Sequence, residues 1–296
     1  MFLFTNKCFI CNYADDNTLY ACNKDENKIM QDLLQDFTNL SNWFYENYLV
    51  LNADKCHFMT LGFKSPLPNF IFKKEVIKNS PEEKILGITI DNKLTFESHL
   101  ETICKVANQK LNALCRLSKF TSPYQRYLLV NSYIKSQFSY CPLIWMFSSR
   151  KSNHRINKIH ERSLRIILND YFSSFEDLLT VLDEKTIHQR SINLLLIEVF
   201  KYLNNLSPKL MNEVFQLRHS NFNLRQARLF QTDVPKTEAF TNSIAIRSNQ
   251  LWEVLPLEIQ SSQSILEFKT KLSKWRCYEC QCRICKTFIP NLGYID

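Results

Sequence analysis

Between Asp25 and Tyr48, apolar side chains fall at positions 29, 30, 33, 34, 37, 40, 43, 44 and 48. That recurrence, close to 3.6 residues, predicts one long amphipathic helix. Ahead of it, apolar and β-favouring residues over 8–22 flank Ala14-Asp15-Asp16, which predicts a β-hairpin with two carboxylates in its turn. Residues 49–62 ("LVLNADKCHFMTLG") return to a turn and strand, and "KILGITI" (84–90) reads as a strand with a glycine inside it. From Thr95 the pattern is helical. Leu100, Ile103, Cys104, Ala107, Leu111, Leu114, Cys115 and Leu117 mark one helix, and Ser122-Pro123 opens a second that runs to about Tyr140, where "CPLIW" breaks it. A third helix covers Arg150 to Leu168, and Ser174 with Asp177 forms a capping box that opens another near Phe175. Residues 186–204 are helical again and end before Ser207-Pro208. The stretch 218–248 is polar and weakly periodic, which predicts loop, and the helical signal resumes at "SILEFKTKLSKW". No internal repeat interrupts this order. The fold class is α+β, with strands near the front of the chain and helices after them.

Composition narrows the picture. With 296 residues and 45% apolar content the chain can bury an ordinary core in two or three units. Its three glycines (Gly62, Gly87, Gly293) are too few for a dinucleotide fold or a P-loop, both of which need glycine-rich turns against phosphate. Net charge is +8, unevenly spread: residues 1–60 hold four Lys/Arg against eight Asp/Glu, leaving a basic remainder suited to a polyanionic partner or to plain surface solubility. Among the eleven cysteines, Cys22, Cys56, Cys104 and Cys115 read as small buried hydrophobes, and Cys8 and Cys11 as packing residues beside a strand. "MFLF" is broken by "TNK" before a signal sequence forms, and no apolar run approaches the roughly 20 residues that span a bilayer. These features predict an intracellular protein, cytoplasmic or nuclear, without a membrane partner.

The chemistry begins at the hairpin. Two carboxylates on a tight turn suit a hard cation such as Mg²⁺, and nucleotidyl transfer uses two such ions to clamp the attacking and leaving oxygens. An Asp pair alone is also a common turn device. Here "YADDNTLYA", the long helix, "LVLNADKCHF" and "EEKILGITIDNKLTFESHL" follow one another in an order and spacing that resemble the reverse transcriptases of non-LTR (LINE-type, jockey-like) retrotransposons. The segments "YCPLIWMFSSRKSNHRINKIHERSLRII" and "SNQLWEVLPLEIQSSQSILEFKTKL" resemble regions after the thumb and near the C-terminus of such elements. The resemblance implies a partial palm over 1–92, a helical thumb with a basic helix over 93–170, a helical C-terminal region over 171–270 and a Cys-rich tail over 271–296. It implies catalytic roles for Asp15, Asp16 and Lys55, with the aspartates holding Mg²⁺ and the lysine assisting the departure of pyrophosphate. Tyr13 would lie beside the incoming nucleotide, and Leu86 and Gly87 would belong to the strand pair gripping the primer end. The partners implied are an RNA template and a DNA primer.

Asp15 is the first acidic residue of the sequence, so no upstream carboxylate joins the pair. The expectation is a fragment of an RNA-directed DNA polymerase that is inactive by itself, since losing part of a jointly acting site costs orders of magnitude in rate. The competing readings are a non-catalytic nucleic-acid-binding protein and a translated remnant. Two further candidates remain. Arg155, Lys158, Arg162 and Arg165 recur at steps of three and four, so they share one helix face and form either a phosphate-tracking stripe or a solvated polar surface. Cys277, Cys280, Cys282 and Cys285 would supply a tetrahedral zinc set, although a single residue separates the two C-x₂-C pairs.

Overall fold

The computed structural model describes residues 7–62, 68–73, 75–218, 229–231, 234, 236–276, 288–289 and 293–294. The chain divides into two compact units, 1–94 and 95–296.

In the first unit, β1 (Phe9–Tyr13) pairs antiparallel with β2 (Asp16–Tyr20), Tyr13 opposite Asp16. The helix expected over 25–48 is α1 (Glu26–Glu46), capped by the Asp25 carboxylate, which accepts from the Asn27 and Lys28 backbone N–H groups. Its apolar stripe, Met30, Leu33 and Phe37, packs on a small hairpin of β3 (Phe70–Phe72) and β4 (Glu75–Ile77), where Phe70, Phe72 and Ile77 are buried. Phe37 meets Phe70 and Phe72 edge-on at 5.4 and 4.8 Å, a favoured aromatic geometry. The segment over 49–62 forms no strand. It holds a 3₁₀ turn at Ala53–Lys55 and one parallel bridge, Phe58 to Asn79. "KILGITI" is likewise not one strand: β5 (Glu82–Ile85) and β6 (Ile88–Asp91) form a hairpin with Leu86 and Gly87 as its turn.

Among the described residues the second unit is helical apart from a short strand pair, β7 (Phe288–Ile289) with β8 (Gly293–Tyr294), and one antiparallel bridge, Leu217 to Phe230. Leu100, Cys104, Ala107, Leu111 and Leu114 of α2 (Glu97–Leu117) are buried, the face its periodicity predicts. The helix opened by Ser122-Pro123 is α-helical only as α3 (Pro123–Leu129). It passes into a π turn at Val130–Ile134 and a 3₁₀ turn at Lys135–Phe138. After α4 (Pro142–Trp145) come α5 (Arg150–Leu168), α6 (Phe175–Val181), with the expected Ser174/Asp177 capping box, and α7 (Ile187–Leu203). A short α8 (Met211–Val214) follows. Within the stretch expected to be loop, 218–248, α9 (Glu238–Thr241) forms and α10 (Ile244–Glu253) begins, and α10 buries Leu251 and Trp252 against α7. Next come α11 (Leu257–Gln260) and α12 (Ile265–Lys274), and Phe268 of α12 stacks on Phe200 of α7 at 4.2 Å. No helix among the described residues is long and apolar enough to cross a membrane.

Candidate functional site

The sequence-predicted site residues lie in both units. In the first, a two-residue turn, Ala14-Asp15, joins β1 and β2, and Ala14 adopts a left-handed φ of 53°. Asp16 is therefore the first residue of β2, directly across from Tyr13, and not part of the turn as expected. The side-chain amide of Asn17 donates to the Asp15 carbonyl at 3.1 Å, which steadies the tip. Asp15 and Asp16 are exposed, and Tyr13 is 66% exposed. The hairpin is anchored at its other end. The backbone N–H groups of Lys7 and Cys8 donate to Asp36 Oδ2 at 2.9 and 2.7 Å, and Asp36, on α1, is completely buried. Burial, and then the charge of Asp36 and a side-chain hydrogen bond with it, push the Cys8 thiol up to about 12. Sequence reading missed Asp36; its signal is a carboxylate one position ahead of Phe37 on the helical stripe, where a buried charge needs fixed donors.

Lys55 closes the Ala53–Lys55 turn and is exposed, and the Asn52 side chain accepts from the Asp54 N–H at 3.0 Å, so Asn52 shapes the turn that carries the lysine. Leu86 and Gly87 both have positive φ, 48° and 86°. A two-residue hairpin turn with both residues left-handed matches strand twist, but leucine is an unfavourable residue for it.

Asp15 and Asp16 are neighbouring, exposed carboxylates on the hairpin. No group of three or more His, Cys, Asp or Glu side chains placed to hold a metal occurs among the described residues. Cys277, Cys280, Cys282 and Cys285 lie outside the described residues. Cys8 and Cys104 are buried, Cys56 and Cys115 intermediate, and Cys11, Cys22 and Cys141 exposed, which corrects the buried reading of Cys22 and the packing reading of Cys11.

In the second unit the four basic residues come together. Ile156, Ile159, Leu164, Ile166 and Ile167 of α5 are buried, which turns the opposite face outward. Arg155, Lys158, Arg162 and Arg165 line an open cleft of about 620 Å³, together with His154, Glu161 and Asn108, above Cys104 and Ile159. Lys151 pairs with Glu97 at 3.6 Å, Arg155 with Glu101 at 2.6 Å, and Arg162 donates to Asn112 Oδ1 at 2.8 Å. As α5 advances, its partners on α2 advance too, so the helices run side by side in the same direction. Arg155 to Arg165 span about 15 Å at 1.5 Å per residue, room for roughly three phosphates of one strand.

The cations are held in internal contacts. The Arg155 hydrogen bond holds the Glu101 carboxyl below its ordinary value, and that same bond raises Arg155. Burial pushes Glu161 up, but hydrogen bonds from Arg165 and Lys158 outweigh it and keep the carboxyl below its usual range. Burial lifts the Cys104 thiol to about 11, so it is a packing group in the floor. Sequence reading missed His154, Glu161, Asn108 and the acidic partner Glu101. Their signal is the spacing of 154, 158, 161 and 165 on α5 and of 101, 108 and 112 on α2, each at helical steps.

No family model matches the chain, and no solved structure matches it. The chain is similar to RNA-directed DNA polymerases of non-LTR retrotransposons over about half its length. One relative, from Drosophila melanogaster, is the Probable RNA-directed DNA polymerase from transposon BS, 29% identical over 170 residues, which are 54% of this chain and 18% of that protein. Another is the RNA-directed DNA polymerase from mobile element jockey of the same organism, 27% identical over 167 residues, 53% of this chain and 18% of that protein. The chain thus spans about a fifth of the length of the curated relatives it matches.

Proposed function

We propose that this chain is the part of a non-LTR retrotransposon reverse transcriptase that holds nucleic acid, with a palm-type hairpin in its first unit and a phosphate-binding cleft between α2 and α5. The observation that carries this reading is the convergence of Arg155, Lys158, Arg162 and Arg165 in one open cleft of a chain similar to RNA-directed DNA polymerases. A row of cations along about 15 Å of helix suits a single strand of template or primer, and Arg162 donates only to the neutral Asn112 among the described contacts.

Asp15 and Asp16 serve as metal ligands only when a further carboxylate joins them; Lys55, Tyr13 and the Leu86-Gly87 turn then act around nucleotide and primer. Residues 1–296 alone are therefore expected to bind RNA without extending a primer. Fluorescence anisotropy with a labelled 20-nucleotide single-stranded RNA tests the binding half. Three phosphate contacts give a log–log salt slope of roughly −2, and Arg155→Glu with Arg162→Glu should about halve it. An unchanged slope refutes the cleft. In a primer-extension assay with Mg²⁺ or Mn²⁺, template-dependent synthesis by this chain refutes the inactivity.

A further inference from the structure

We infer that Glu101 and Glu161 occupy phosphate positions in the α2–α5 cleft, so that it accepts a continuous phosphate backbone and rejects isolated anions. The inference rests on the proposed nucleic-acid reading of that cleft. Three of the four cations are already bound by carboxylates. Glu101 Oε1 lies 2.6 Å from Arg155 Nη1. Glu161 bridges two cations, with Oε1 2.7 Å from Arg165 and Oε2 3.2 Å from Lys158. This arrangement, one oxygen to each cation, is the one that two oxygens of a bridging phosphate would adopt.

Arg162 stands apart. It lies between Lys158 and Arg165 in the stripe, donates to Asn112, and has no carboxylate partner among the described residues. A second sign of an unfinished contact is Arg165 Nη1, which is buried and has no acceptor among the described residues.

The physical consequence is a threshold. A lone phosphate or a mononucleotide can engage Arg162, but displacing either carboxylate means breaking an ion pair for one new contact of similar strength. A polynucleotide presents several phosphates at once, and each exchange after the first is intramolecular, so the strand displaces carboxylates that a monomer cannot. The ion pairs also hold the side chains of Arg155, Lys158 and Arg165 over the cleft before a ligand arrives, which reduces the ordering that binding would otherwise require.

The test compares the wild-type chain with Glu101→Gln, Glu161→Gln and the double variant, each checked by circular dichroism. A labelled 20-nucleotide oligo(U) is the probe, and inorganic phosphate and UMP are the competitors. The expected result is roughly tenfold tighter oligo(U) binding by the double variant, the order of magnitude for two carboxylates that no longer compete. The dissociation constants of phosphate and UMP, extracted from the competition curves with the change in oligo(U) affinity taken into account, should fall at least tenfold in the double variant. Glu258→Gln with Glu267→Gln, which changes net charge equally on α11 and α12, should leave affinity unchanged. If that pair tightens binding as much, or if the cleft variants do not tighten it, the inference is overturned. Should Glu161→Gln fail to fold, the exposed Glu101→Gln decides alone, with a smaller gain of two- to threefold. Arg155→Glu with Arg162→Glu separates the failures. If it leaves binding intact, the cleft reading itself is wrong; if it abolishes binding while the glutamine variants show no gain, only the placeholder role is wrong.

Discussion

Asp36→Ala should detach the Asp15-Asp16 hairpin from α1. Asp36 is completely buried, and its Oδ2 accepts the Cys8 N–H, itself buried, at 2.7 Å and the half-buried Lys7 N–H at 2.9 Å. Hydrogen bonds to a charged group contribute about 1.5–3 kcal/mol each. Placing the buried bond near the top of that range and the half-buried one near the bottom gives a loss of roughly 4 kcal/mol, a large share of a typical domain stability of about 5–15 kcal/mol. The Lys7–Asp32 pair, at 3.3 Å with its lysine exposed, offsets little of it. Asp36→Asn keeps a neutral acceptor and should lose about half as much. Hydrogen exchange reads the amides directly: protection at Lys7 and Cys8 should fall by two to three orders of magnitude in Asp36→Ala. Burial and Asp36 together hold the Cys8 thiol near 12, so site-resolved alkylation should also show Cys8 approaching the rate of the exposed Cys11. If Asp36→Ala leaves the Cys8 amide protected and its thiol unreactive, Asp36 does not anchor the hairpin.

Two further predictions concern stability. His160 of α5 is 1% exposed, faces Phe175 edge-on, and has no partner for either ring nitrogen among the described residues. Burial, then the charges of Lys135 and Arg190, keep its pKa well below 6.5. The unfolded chain takes up a proton near 6.5 that the folded chain refuses, so stability should fall on acidification below that pH by up to about 1.4 kcal/mol per unit, and His160→Leu should flatten the slope in urea titrations. Leu86→Asn should be neutral or stabilising by up to about 1 kcal/mol, because asparagine tolerates the left-handed conformation that costs leucine about 1–2 kcal/mol; a clear loss of stability would show that the exposed Leu86 side chain makes the turn.

Long helices were legible because burial on one face leaves a direct trace in sequence: α1, α5, α7 and α12 lie within a few residues of their predicted ends. The errors have physical reasons. One glycine in "KILGITI" looks like a strand interruption, but the turn needs two left-handed residues and takes Leu86 as the other. The helix at Ile244–Glu253 was hidden because its stabilisation comes from Leu251 and Trp252 meeting α7, a long-range contact that leaves little local periodicity. The basic stripe was visible on α5 as a repeat. Its carboxylate partner Glu101 was not, since the pair is 54 residues apart and only the parallel packing of α2 on α5 joins them. The hairpin carrying Asp15 and Asp16 was legible by motif, and its anchor through Asp36 was not.

The central claim, that the α2–α5 cleft holds nucleic acid, is tested most directly by photo-crosslinking the chain to RNA that carries 4-thiouridine, with the adducts mapped by mass spectrometry. The expected adducts fall on peptides containing residues 101–112 and 154–165 and disappear in Arg155→Glu with Arg162→Glu. Adducts confined to other peptides, or unchanged by those substitutions, would contradict it.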